Sequence, residues 1–230
     1  MIIGDFGTSY SKLLDLAQQP EAPPQVIPTR QLPPETRVDL ATGHNARRFG
    51  LERINELTAL ARGGEALIKR PDFLLLDCGS RDLKFIRYRD GKMKDMGWNA
   101  ECGASMGFTI ELLERYYQLD CREMALPGRG FSVTCGVLGL SDIFDAVVGG
   151  MPEIEAVARL IKGIAHNAYR FAGEPAELYL SGGLCENPVF VASFPCRIHS
   201  LGRFVLLAGL KAEAARRGLP PADHEPATHA

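Results

Sequence analysis

No CxxC pair occurs in this chain of 230 residues, although it holds 6 cysteines. Zinc ribbons and thioredoxin-like dithiols need that spacing, so neither reading has support. No apolar run approaches the roughly 20 residues that span a bilayer. The N-terminus enters an apolar segment directly, with no basic stretch before it, so no signal peptide is read. These absences predict a cytoplasmic protein with no membrane partner. In a reducing compartment lone cysteines are more often small buried hydrophobes than disulfides. An excess of basic charge is also missing: 26 Lys and Arg against 28 Asp and Glu leave a formal charge of -2. Nucleic acid demands a basic face, so no nucleic-acid partner is expected.

What the chain does have is an ordinary globular composition, 46% hydrophobic and 23% charged, and enough length for one large domain or two small lobes. Two segments share a plan. Met1-Ile-Ile-Gly-Asp5-Phe-Gly7-Thr8-Ser9-Tyr-Ser-Lys12 and Phe73-Leu-Leu-Leu-Asp77-Cys-Gly79-Ser80-Arg-Asp82-Leu-Lys84 each run strand, acid, glycine turn, small hydroxyl residue, lysine, strand. Such a duplication predicts two hairpins whose tips face each other across a polyphosphate. Backbone N–H groups, hydroxyls and a lysine would meet the phosphates, and the acids would hold Mg²⁺.

Between these hairpins, prolines at 20, 23, 24, 28, 33 and 34 forbid a helix and leave only Gln25–Thr29 as a short edge strand. A strand is expected over Val38–Ala41. Leu51, Ile54, Leu57, Leu60 and Ala61 recur at helical spacing, and Gly63-Gly64 is expected to stop that helix. Asp90-Gly91 marks a tight hairpin into a third strand. Met106, Ile110, Leu113 and Tyr117 line one helix face. Ser141 is expected to cap a short helix ending at Gly149-Gly150. A long amphipathic helix follows Pro152, through Phe171. Leu178–Ser181 reads as a buried strand that breaks at Gly182-Gly183, and a last helix runs from about Arg203 to Arg217. The tail, 218–230, lacks core formers and is expected to be disordered. Hairpins followed by helices, twice over, predict an α/β protein of two lobes around a cleft. The boundaries are 1–70 for the first lobe, completed by helix 203–217, and 71–202 for the second.

Three segments taken together resemble the superfamily of acetate kinases, sugar kinases, heat-shock chaperones and actin: Asp5-Phe-Gly-Thr-Ser and Asp77–Lys84 as its phosphate hairpins, and Leu178-Tyr-Leu-Ser-Gly182-Gly183 as its adenosine motif. Within it the chain resembles the activators of 2-hydroxyacyl-CoA dehydratases and the related ATPase subunits of benzoyl-CoA reductases. Ala41-Thr-Gly-His-Asn-Ala-Arg47 is similar to that branch's ATGYGR turn, Glu56-Leu-Thr-Ala-Leu-Ala-Arg-Gly63 to EITAHAKG, and Cys78-Gly-Ser-Arg-Asp82-Leu-Lys84 to GGQDxK. Trp98-Asn-Ala-Glu-Cys102-Gly-Ala-Ser-Met-Gly107 is similar to MNDKCAAGTG, and Val133-Thr-Cys135 falls where the branch has its second cysteine.

The resemblance implies two ribonuclease-H-like lobes of the actin-like ATPase fold, with Asp5 and Asp82 as the catalytic acids on Mg²⁺ and Asp77 as the alternative metal acid. It implies ATP contacts from Gly7, Thr8, Ser9, Lys12, Gly79, Ser80, Lys84, Gly182 and Gly183, with Glu186 and Asn187 nearby for the sugar. It further implies that Cys102 and Cys135 bind a [4Fe–4S] cluster shared by the two subunits of a homodimer. Electrons would come from a ferredoxin or flavodoxin and pass to a partner iron–sulfur dehydratase or reductase. A cubane needs about four thiolates, so two per chain require a twofold partner. Cys78, Cys121, Cys185 and Cys196 are read as packing residues. The chain departs from the branch at 20–34, at Arg81 in place of glutamine, and at Gly103–Gly107. Two other readings stay open here: a cluster-free reactivating or regulatory ATPase, and a small-molecule kinase of the same superfold.

Overall fold

The computed structural model describes residues 1–17, 23–99, 107–133 and 136–219. These form two compact units, one from Met1–Lys69 with the chain after Phe204, the other from Arg70–Arg203. Among the described residues no helix is long and apolar enough to cross a membrane.

The first unit is built on β1 (Ile2–Phe6), β2 (Tyr10–Asp15), β3 (Gln25–Pro28), β4 (Val38–Thr42) and β5 (Gly50–Arg53), in sheet order β3-β2-β1-β4-β5. Its core holds Phe6, Leu32, Val38, Ala41, Ala46 and Phe49, with Phe6 stacked on Phe49 at 4.7 Å. The second unit repeats the plan with β6 (Phe73–Cys78), β7 (Leu83–Arg89), β8 (Lys92–Asn99), β9 (Glu177–Ser181) and β10 (Arg197–Gly202), in order β10-β9-β6-β7-β8. Both sheets pair their first strand antiparallel to the second and parallel to the fourth. The α/β duplication expected from the two hairpin segments is the fold observed. Every residue of β6 is buried, as an unbroken apolar run at the centre of a sheet requires.

The helices are α1 (Ala46–Phe49), α2 (Glu56–Leu67), α3 (Gly107–Tyr117), α4 (Gly136–Val148), α5 (Glu153–Phe171), α6 (Pro188–Ala192) and α7 (Val205–Arg216). The structure corrects three expected boundaries and adds elements that the pattern hid. Leu51 belongs to β5, and α2 begins at Glu56, capped by the Asn55 side chain on Leu57 N–H. That helix also runs through Gly63-Gly64 instead of stopping there. The reason is packing: a Cβ on Gly63 would lie 2.1 Å from Val205 O, and one on Gly209 would lie 1.8 Å from Ala59 O. The glycines let α2 and α7 touch backbone to backbone. Ser141 lies inside α4 and is exposed, because the helix already starts at Gly136. Edge strand β10 was not expected, since Arg197-Ile-His-Ser-Leu-Gly202 lacks a clean alternation.

One buried carboxylate organises the end of α7. Glu213 accepts hydrogen bonds from Arg216 and Arg217 and lies 3.5 Å from Arg62 of α2. The Arg216 bonds, with those of Arg217, hold its carboxyl down to about 2 from an ordinary 4.5. A depressed carboxyl stabilises the fold above its unfolded value and loses that contribution as pH falls toward the folded one. Glu213→Gln is therefore expected to flatten the acid dependence of stability between those limits, measured by thermal melts across pH. Gly209→Ala is expected to cost about 1–3 kcal/mol or more in a denaturant titration, since overpacked methyls force backbone shifts.

Candidate functional site

Each sheet carries the same polar row. In the first unit the register aligns Thr42, Asp5 and Lys12 on β4, β1 and β2. In the second it aligns Ser181, Asp77, Lys84 and Trp98 on β9, β6, β7 and β8. Asp5, Thr42, Asp77, Lys84 and Ser181 are all buried. The duplication thus makes Asp77 the counterpart of Asp5, while Asp82 takes the turn position that Tyr10 holds in the first hairpin.

The rows are wired differently. Lys12 Nζ donates to Asp5 Oδ2 at 2.7 Å. Lys84 Nζ donates to Asp82 Oδ1 at 2.5 Å and lies over the Trp98 ring, 5.1 Å from its centroid. Trp98 Nε1 donates to the other Asp82 oxygen at 2.8 Å. Asp77 Oδ1 accepts from the Ser181 hydroxyl at 2.6 Å. Both Asp82 oxygens are thus engaged by side chains of its own sheet.

A glycine crosses behind each row. Gly43 has φ +97° and Gly182 φ +93°, a region that L side chains rarely enter. A Cβ on Gly43 would lie 2.6 Å from Phe6 O, and one on Gly182 would lie 2.3 Å from Cys78 O. Both are the points where the chain leaves a parallel strand against the end of β1 or β6. Gly183 is different: a Cβ there meets nothing within 4 Å. Among the described residues no packing demands a glycine at 183, and the backbone there is open to close approach.

The two turns share one device. Gly7 O accepts from Thr29 Oγ1 at 2.9 Å and from Asn45 Nδ2 at 3.0 Å. In a trans peptide the N–H points opposite to the carbonyl, so the Thr8 N–H is turned to the other side. In the second turn Gly79 O accepts from Gly107 N at 3.4 Å and Ser80 O from Phe108 N at 2.9 Å. The N–H groups of Ser80 and Arg81 are turned away in the same manner. The start of α3 thus does for the second turn what two side chains do for the first. Adjacent N–H groups facing one way make an anion-binding concavity. The Ser9 hydroxyl is buried without a hydrogen-bond partner in the first turn.

The structure thus brings Asp5, Gly7, Thr8, Ser9 and Lys12 together on one hairpin tip, and Gly79, Ser80, Asp82 and Lys84 on the other, with Gly182 against Cys78. Asn187 serves as the α6 cap through Phe190 N–H, and Glu186 lies 3.6 Å from Arg203. Burial, with the nearby Asp77 carboxylate, pushes the Cys78 thiol well up, and burial pushes those of Cys121 and Cys185 to about 11, as packing residues. Cys102 and Cys135 lie outside the described residues. Among the described residues no group of three or more His, Cys, Asp and Glu could hold a metal ion. Sequence reasoning missed Thr29, Asn45, Trp98 and Glu111, whose Oε1 accepts from Ser80 Oγ at 3.2 Å. Asn45 had a signal, following Gly43-His in the turn after β4; Thr29, beyond a run of prolines, had none.

No family model matches this chain, and no curated protein sequence matches it. Solved structures do. The activator of 2-hydroxyisocaproyl-CoA dehydratase from Clostridium difficile, with bound ADPNP, superposes with a TM-score of 0.73 at 15% identity, over 97% of this chain and 99% of that one. Component A of the (R)-2-hydroxyglutaryl-CoA dehydratase from Acidaminococcus fermentans gives 0.73 at 16% identity, over 96% and 99%. A putative 2-dehydro-3-deoxygalactonokinase from Sinorhizobium meliloti gives 0.56 at 14% identity, over 99% of each chain. What they share with this chain is the fold. It is the actin-like ATPase and sugar-kinase fold that the three sequence motifs resemble.

The two glycines of the 182–183 pair are expected to behave oppositely. Gly182→Ala forces a Cβ into the Cys78 backbone and is expected to lower stability by about 2 kcal/mol or more. Gly183→Ala is expected to leave it within about 0.5 kcal/mol. Parallel denaturant titrations measure both.

Proposed function

We propose that this chain binds MgATP and acts as an ATP-dependent activator of a partner iron–sulfur dehydratase or reductase. The observation that carries the reading is the pair of hairpin turns. Each has its carbonyls fastened behind it and a buried acid in matching register on the adjoining strand, in a fold shared with two dehydratase activators.

The N–H groups of Thr8, Ser80 and Arg81 donate to phosphate oxygens, joined by the Ser9 hydroxyl. Asp5 is the acid of the first unit that would hold Mg²⁺, with Asp77 its counterpart by register in the second; the ion, when bound, would neutralise charge developing on the transferred phosphoryl group. Asp82, already holding Lys84 and Trp98, fixes the ammonium of Lys84 in the row instead of binding metal. Gly183 lets the backbone approach the adenosine.

The donor set for a [4Fe–4S] cluster would be the two thiols Cys102 and Cys135, which in sequence lie five residues before α3 and one residue before α4. Such a cluster, when bound, supplies one-electron transfer, with a ferredoxin or flavodoxin as donor. Two thiols per chain imply a homodimer. An exposed apolar stripe supports it: Phe108, Leu112 and Tyr116 recur every fourth residue on α3, beside Phe144 of α4, and Tyr116 packs edge-on against Phe144 at 6.4 Å. Monomers seldom leave such a patch uncovered.

The test begins with anaerobic purification, metal analysis and MgATP turnover. Asp5→Asn and Asp77→Asn are each expected to lower turnover about a hundredfold, whereas Asp82→Asn lowers it less. Cys102→Ala and Cys135→Ala are expected to lose iron and colour while keeping MgATP affinity. Absence of nucleotide binding in the parent protein sinks the reading, and iron retained in both cysteine variants overturns the cluster assignment.

A further inference from the structure

The hydroxyls of the two turns are committed differently. Ser9 Oγ in the first turn has no hydrogen-bond partner among the described residues. Ser80 Oγ in the second donates to Glu111 Oε1 at 3.2 Å, one turn into α3. A serine hydroxyl has one proton, while an ionised carboxylate and a phosphate are both acceptors. Ser80 therefore donates to one or the other, never to both. The carboxylate charge adds to the rivalry, since it repels an anion seated on the same turn.

We infer that Glu111 is a positioning residue that competes with phosphate for the Ser80 proton, so that loading the second turn releases the first turn of α3 from the Ser80 side chain. This deepens the MgATP reading above and rests on it. The backbone ties of Gly107 to Gly79 and Phe108 to Ser80 act through carbonyls and need not break. Release thus frees the Glu111 end of the joint while its backbone hinge remains. On the other flank of residues 100–106, Trp98 keeps its bond to Asp82, whose acceptors a phosphate does not contest. The two flanks of that segment, which contains Cys102 in sequence, consequently respond unequally to nucleotide.

Calorimetric titration of the full chain with MgATP tests this in four proteins: the parent, Glu111→Gln, Ser80→Ala and the double variant. The glutamine amide can donate to Ser80 Oγ, which keeps the contact and frees the serine proton. E111Q is expected to bind MgATP about three- to tenfold more tightly, the worth of one hydrogen bond. A purely supporting role for Glu111 would weaken binding instead. In the S80A background the gain from E111Q is expected to fall below about twofold at physiological salt, where exposed charges are screened. Unchanged or weaker binding in E111Q, or an equal gain with and without Ser80, overturns the inference. If E111Q fails to fold, hydrogen exchange in the parent decides: MgATP is expected to speed exchange at residues 110–112, and unchanged or slower exchange there overturns it. A parent that binds no MgATP removes the functional reading itself, which the first titration alone reveals.

Discussion

A peptide unit presents its acceptor and its donor on opposite sides, and both hairpin tips of this protein are organised by what fastens the acceptor. Thr29 and Asn45 hold the Gly7 carbonyl in one unit. The opening residues of α3 hold the Gly79 and Ser80 carbonyls in the other. Everything else in the polar rows is arranged around those directed N–H groups. The acids sit at the strand ends, the lysines face them from the antiparallel neighbour, and a left-handed glycine lets a third strand end against the first. The physical economy is that no charged side chain has to reach into the turn for it to attract an anion.

The shared topology makes the unlike wiring of the lysines informative. In the first unit the ammonium belongs to the row's own acid, Asp5. In the second it is drawn to Asp82 and to the face of Trp98, the one tryptophan of the chain. A buried ammonium needs an anionic partner and a polarisable neighbour when water is excluded. Asp82 and Trp98 together meet that need, while the Ser181 hydroxyl donates to Asp77 across the neighbouring strand pair.

Much of this was legible in the residues. The repeated acid–glycine–lysine plan gave away the duplication, because a period of two on one side of a glycine turn has few other solutions. It also picked out Gly7, Thr8, Ser9, Gly79 and Ser80 as turn residues. The resemblance pointed to Asp82 and kept Asp77 as the alternative, and strand register adds that Asp77 is the acid in line with Asp5. Gly63-Gly64 read as a stop because glycine is a weak helix former; the contact with α7 that overrides this lies far away in sequence. Asn45, Thr29 and Glu111 act through carbonyls and hydroxyls of distant residues, and no local pattern encodes such partners.

The embrace of α2 by α7 also sets an order of manufacture. The strands of the first unit are made before the second unit, yet the helix that covers Gly63 and reaches β1 and β4 is made after it. Domains generally mature as they emerge. Here the second unit, Arg70–Arg203, is complete while the first still exposes the glycine-lined side of α2. Of the two units, the one begun first is therefore the last to close.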